Sequence, residues 1–186
     1  MQSRGSAVRR LCLLGGESSG KTTLAMQPAD RLGTPWVPEY GRELWERLRR
    51  TLDVDELVRV AERQVELEEQ AARRVPPQVG WLVCDTSPLT TLQYCLHDHG
   101  QAPPRLHELA RRHYDLAVLC EPDFVFVQDG CRRDDAFRAA QHEWTRTRLA
   151  ELGLAVHPAR GAPPARLDAL LQRLRSYCEP LRGDTP

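Results

Sequence analysis

Hydrophobic positions along the chain alternate between short continuous apolar runs and longer stretches of helical period. "AVRRLCLLGG" reads as a buried strand running into a glycine turn, and "GWLVCDTSP" and "DLAVLCEPDF" as two more. Runs apolar on both faces are what parallel strands covered by helices require. "PWVPEYG" is a shorter strand with Pro38 before its polar end, and "LAVHPARG" a fifth. Between them, "KTTLAMQPADRLG" has helical spacing and closes at Gly33, with Pro28 expected to kink or shorten it. "DVDELVRVAERQVELEEQAARRV" predicts a long amphipathic helix capped by Asp53 or Asp55, with Glu56 in its first turn. "LTTLQYCLHDHG", "PPRLHELARRHY", the stretch after "QDGCRRDD" and "APPARLDALLQRLRSYC" supply the remaining helices.

Five strands alternating with helices predict an α/β fold with a mostly parallel sheet covered on both faces. The length suits one domain over residues 1–180, followed by a flexible tail at 181–186. Ligands of such sheets bind beyond the carboxyl ends of the strands. Gly15, Glu39, Asp85, Glu121 and His157 fall at or just past predicted strand ends, so they are expected on one rim.

Composition narrows the function. The formal net charge is zero, against the basic excess usual for nucleic-acid or anionic-membrane binders. The six cysteines form no C-x-x-C pair, and Cys84 and Cys120 sit in apolar strands as buried thiols. No stretch reads as a signal peptide or a membrane span, so a cytoplasmic protein with reduced thiols is expected. Lys21 is the only lysine among 26 basic residues, and the chain has neither Asn nor Ile. These three residues share A/T-rich codons, so the bias reads as a GC-rich coding sequence. Position 21 is then a site where Arg cannot serve, because a wide planar fork cannot replace a compact ammonium.

Lys21 lies in a motif that explains it. Gly15, Gly16, Glu17, Ser18, Ser19, Gly20, Lys21 and Thr22 fit G-x-x-x-x-G-K-[ST], with Thr23 next in the first helical turn. Glycines let successive N–H groups curl around a phosphate, and the helix adds its positive end. Lysine reaches the outer phosphates, and the Thr22 hydroxyl suits Mg²⁺. The overlapping "GESSG" also fits a serine-hydrolase elbow, which would leave Lys21–Thr22 unexplained and lacks an earlier strand loop for its oxyanion hole.

Asp85 ends "WLVCD" as a Walker B acid that would hold Mg²⁺, or else caps the helix that follows. Glu39 can take the proton of an acceptor hydroxyl, or pair with Arg42 or Arg47. Arg42 can clamp a substrate oxygen or neutralise Glu39. Arg132, Arg133 and Arg138 follow a glycine turn and read as an arginine-bearing lid over phosphates, or as a solvated charge run. His97 and His99 read as a surface loop. A guanine-reading N/T-K-x-D motif is impossible with the one lysine at 21, which favours ATP.

Together, "GGESSGKTTLA", "VPEYGRELWE", "DTSPLTT" and "DGCRR" resemble the ribosylnicotinamide kinase domain of the NadR family, over about residues 9–155. The resemblance implies a P-loop kinase fold and transfer of the ATP γ-phosphate to the 5′-hydroxyl of nicotinamide riboside. It implies phosphate and Mg²⁺ binding at Lys21 and Thr22, and a metal or acceptor role for Asp85. Glu39, Tyr40 and Arg42, with Trp36 nearby, fall on the substrate side, and Arg132 in the lid. Two positions depart from the family: Ser87 stands where D-T-D is frequent, and Pro38 where an aromatic precedes the Glu. The family's adenylyltransferase and DNA-binding portions are not expected in these residues, which have neither room nor a matching motif for them. The expected partner is a nucleoside-like small molecule, with a homo-oligomer left open. A kinase of another nucleoside or metabolite, and an ATP-binding regulatory module, are the alternatives.

Overall fold

In β1 (Arg9–Leu14), Leu11 and Leu13 face one side of a sheet and Cys12 and Leu14 the other, all buried. The strand can bury both faces because it lies at the centre of five parallel strands in the order β2-β3-β1-β4-β5. The others are β2 (Trp36–Val37), β3 (Trp81–Asp85), β4 (Leu116–Cys120) and β5 (Val156–Ala159). The computed structural model describes residues 8–128 and 133–177; Cys131, Arg132, Cys178 and the tail at 181–186 lie outside the described residues.

Helices α1 (Lys21–Leu32) and α7 (Pro163–Ser176) cover one face of the sheet through Leu24, Leu167, Leu170 and Leu174. The other face packs against α3 (Val54–Ala72), α4 (Pro88–His99), α5 (Pro104–Ala110) and α6 (Asp135–Glu151). The short α2 (Tyr40–Leu48) lies at the edge of this second layer. Each fully buried Leu contributes about 1.5–3 kcal/mol, and the two layers hold most of them. No helix of the described residues is long and apolar enough to cross a membrane.

Local sequence fixes the ends of these helices. Asp53 caps α3: its carboxylate accepts from the Glu56 N–H at 2.8 Å, and Glu56 accepts from the Asp53 N–H at 2.9 Å. This reciprocal pair satisfies two donors that the helix leaves open. Three expectations are corrected. Pro28 does not end α1, which runs on to Leu32 with Pro28 buried on its inner face. "HDHG" is not a loop but the last turn of α4, stopped by Gly100 in the left-handed conformation. His157 is not on the rim: it lies within β5, opposite Val118, where burial and Arg173 lower its pKa.

One buried charge joins the second layer. Glu68 of α3 is fully buried, and accepts from Arg112 Nε at 2.7 Å and from the Tyr114 hydroxyl at 2.9 Å. Burial raises its pKa, against the pull of Arg112 and Tyr114. Removing one partner of such a pair costs about 3–5 kcal/mol. Arg112→Met should therefore lower unfolding stability by about that much at neutral pH. The loss should shrink as the pH falls and Glu68 is protonated. Urea denaturation at two pH values measures both effects.

Candidate active site

The loop between β1 and α1 is shaped from behind. A Cβ at Gly15, whose φ is +134°, would lie 2.5 Å from the Cys120 carbonyl, and one at Gly16 2.6 Å from the Arg138 carbonyl. Only glycine lets the chain pass so close to β4 and α6. Past these contacts the carbonyls turn inward. Ser19 Oγ donates to the Gly16 carbonyl at 2.7 Å, and Lys21 Nζ to those of Gly15 and Gly16 at 3.1 and 2.9 Å. Gly20, at φ +81°, is the N-cap of α1 and offers no side chain to the first turn. The N–H groups at this helix start are therefore left for an external anion.

A residue that the sequence did not single out holds this loop. Arg166 of α7 is 2% exposed. It donates to the carbonyls of Ser19, Glu121 and Gly161 at 2.8–2.9 Å and to Asp123, and its guanidinium stacks on Phe124 at 4.3 Å. One arginine among many gives no pattern to find.

The loop forms one end of a cavity of about 240 Å³. Glu17, Ser18, Ser19, Gly20, Lys21, Thr22 and Thr23 line that end; Gly15 and Gly16 lie behind it. Glu39 and Arg42 line the cavity as well. Trp45, Leu52, Leu57 and Val60 make an apolar wall from α2, α3 and the segment between them, and Thr90, Thr91, Tyr94 and Asp98 a polar wall on α4. The α4 residues recur at helical spacing, a signal available in the sequence. Leu57 and Val60 read only as core. Trp36 and Tyr40 do not line the cavity. Trp36 pairs with Val83 and packs on the α1 face, while Tyr40 packs in the opposite layer.

Asp85 is buried beneath Thr22, whose side chain hydrogen-bonds its carboxyl. Burial raises its pKa, opposed by Thr22, Lys21 and Arg42. It does not cap α4: Ser87 does, its Oγ accepting from the Leu89 N–H at 3.2 Å. Asp85 Oδ1 has no partner among the described residues. Burial within the cleft pushes the Glu39 carboxyl up to about 7; Asp85 and Glu17 add to the rise, while Lys21 and Arg42 oppose it. Arg42 also pairs with Glu46 at 3.1 Å.

Among the arginines after the glycine turn, Arg133 lines the cavity. Arg138 is buried behind the loop, pairing with Asp135 and donating to the Phe124 carbonyl at 2.7 Å. Arg132 lies outside the described residues. No histidine lines the cavity among the described residues, and Ser18 Oγ accepts from the Val127 N–H at 3.1 Å. The hydrolase elbow thus lacks its base.

The family model for the AAA domain matches residues 10–166. The chain belongs to the AAA domain family. Within this P-loop family it is similar to the trifunctional NAD biosynthesis/regulator protein NadR of Salmonella typhimurium strain LT2. The two are 29% identical over 133 residues, covering 67% of this chain and 31% of the relative. This AAA domain therefore spans about a third of the length of that relative. A crystal structure of NadR in complex with NR superposes with a TM-score of 0.74 at 21% identity, covering 97% of this chain and 54% of the other. One of NadR with NAD and AMP-PNP gives 0.71 at 22%, covering 95% and 52%. The chain has the fold of a P-loop kinase domain.

Arg166→Met would strand three carbonyls at the back of the loop. Unfolding stability should fall by about 3 kcal/mol, and AMP-PNP affinity with it, read by denaturation and calorimetry. An unchanged AMP-PNP affinity would show that the loop holds its shape without Arg166.

Proposed function

We propose that this AAA domain is an ATP-dependent kinase that phosphorylates the 5′-hydroxyl of nicotinamide riboside, giving nicotinamide mononucleotide. One observation carries the reading: one cavity is lined by the phosphate loop, by Glu39 and Arg42, and by an apolar and a polar wall. NadR, crystallised with NR and with AMP-PNP, shares the fold, which supports both substrates. A regulatory module that only held ATP would have no use for the two walls. The free buried cysteines and the use of ATP fit a cytoplasmic enzyme.

ATP places its β- and γ-phosphates on the N–H groups at the start of α1. Lys21 leaves the Gly15 and Gly16 carbonyls and moves onto the phosphate oxygens. Thr22 and Asp85 are the residues that would hold Mg²⁺. A hydroxyl and a carboxylate with one unpartnered oxygen are hard donors that would suit it. Bound there, the ion would neutralise charge on the phosphates. The apolar wall would take the flat ring of the riboside, and the Thr90 and Thr91 side chains, which line the same cavity, would bond its hydroxyls.

The acceptor oxygen attacks the γ-phosphorus, its proton passes to Glu39, and the bond to the β-phosphate oxygen breaks to release ADP. Glu39 is better placed for this than Asp85, which lies under Thr22. Arg42 and Arg133 face the same space and offset the charge that develops.

The decisive assay incubates the protein with ATP and Mg²⁺, alone and with nicotinamide riboside or each common nucleoside. ADP should form in step with nicotinamide mononucleotide. Preferred phosphorylation of another nucleoside would keep the kinase and replace its acceptor. ATP use that no acceptor stimulates would favour the regulatory module.

The pH profile tests the base. Below about pH 7 Glu39 is protonated and cannot accept a proton. kcat/KM should therefore rise through that region and level off above it. Glu39→Gln should flatten the rise and lower the plateau by about 10²–10⁴.

A further inference from the structure

Glu17 is an anion in a loop built to hold anions. It is 8% exposed, and a charge there repels the phosphates that the loop serves. The N–H groups and Lys21 do not need it for binding. Both of its oxygens are taken by uncharged donors from elsewhere in the chain. The Tyr94 hydroxyl donates to Oε1 at 2.8 Å, and the Arg133 N–H to Oε2 at 2.7 Å. The Glu17 N–H itself donates to Gln141 Oε1 at 2.8 Å. A carboxylate accepts on both oxygens at once, whereas glutamine would present a donor to one of these partners.

The partners lead to the acceptor wall. Tyr94 and Asp98 are four residues apart on α4, so they share one face of the helix. The Arg133 guanidinium pairs with Asp98, approaches His97 Nδ1 at 3.0 Å, and lies over the rings of Tyr94 and Phe137. Arg133 is thus held at its backbone by the phosphate loop and at its side chain by α4. Burial, with Glu39 and Glu17 close by, keeps the Tyr94 hydroxyl well above its ordinary pKa, so it stays a donor.

We propose that Glu17 is a positioning residue that ties the phosphate loop to the α4 acceptor wall and Arg133, so that nucleotide and acceptor bind cooperatively. The inference rests on the kinase reading above. A phosphate that settles the loop fixes Glu17, and through it Tyr94 and Arg133 in the geometry the acceptor meets. The reverse holds by thermodynamic linkage.

The test measures nicotinamide riboside affinity by calorimetry, with and without saturating AMP-PNP and Mg²⁺, for the wild type, Glu17→Gln and Tyr94→Phe. Saturation should tighten riboside binding in the wild type by at least about fivefold, within the usual range for coupled sites. Each variant should bring that ratio close to one. Tyr94→Phe removes a single oxygen and keeps the ring, so it guards against a folding failure in Glu17→Gln. A merely structural role would weaken both ligands and leave the ratio unchanged, which would overturn the inference. A wild type that phosphorylates the riboside with a ratio of one would overturn it alone. A wild type that binds AMP-PNP but no riboside would overturn the acceptor assignment, and this inference with it.

Discussion

Phosphate binding here depends on backbone carbonyls being turned away from the ligand and kept there. A loop that aims its N–H groups at an anion must place its carbonyls elsewhere, and buried carbonyls need donors. The chain supplies them from two directions. Lys21 and Ser19 satisfy the carbonyls of Gly15 and Gly16 from within the loop, and Arg166 reaches that of Ser19 from α7. Gly15 and Gly16 then press against β4 and α6 with no room for a side chain. Ser19 and Arg166 can keep their carbonyls when phosphate is bound, while Lys21 exchanges its two for phosphate, so the ligand completes a loop whose donors already stand near it.

The parallel sheet brings the remaining groups to this cradle. β1 and β3 are neighbours, so Asp85 ends its strand beneath Thr22. Ser87 is significant here. Set against the family's D-T-D pattern it looks like a lost acid, yet it caps α4. Because Ser87 takes the cap, the Asp85 carboxyl keeps one oxygen without a partner. β2 ends just before Glu39, whose raised pKa follows from partial burial in the cleft, with the Asp85 and Glu17 carboxylates adding to it. A proton acceptor near neutrality is the expected result of that crowding.

The central part of this arrangement was legible in the sequence. Apolar runs marked β1, β3 and β4 because the buried middles of these strands are apolar on both faces, with polar residues only at their ends. The glycine spacing marked the loop because few other residues fit the required approach. Legibility failed where one side chain serves two purposes. Leu57 and Val60 have the spacing of core residues, and they do join the core while their edges line the cavity. Trp36 and Tyr40 lie within three residues of Glu39, but the chain turns from strand to helix there and points them into opposite layers. Arg166 acts from the far end of the chain, where no local pattern announces a contact 147 residues away. Pro28 was expected to kink or shorten α1, and the helix is not shortened: it runs on to Leu32 with Pro28 buried on its inner face.

The lone lysine carries the account's central claim: position 21 needs a compact ammonium that can rest on two carbonyls and then move onto phosphate. Arginine keeps the charge but presents a rigid fork. The most direct measurement is steady-state phosphorylation of nicotinamide riboside by Lys21→Arg, with thermal unfolding to confirm that it folds. The account predicts a folded protein whose kcat/KM is lower by at least about a hundredfold, the scale of losing one well-placed charge-stabilising group. A folded Lys21→Arg protein with wild-type kcat/KM would contradict it.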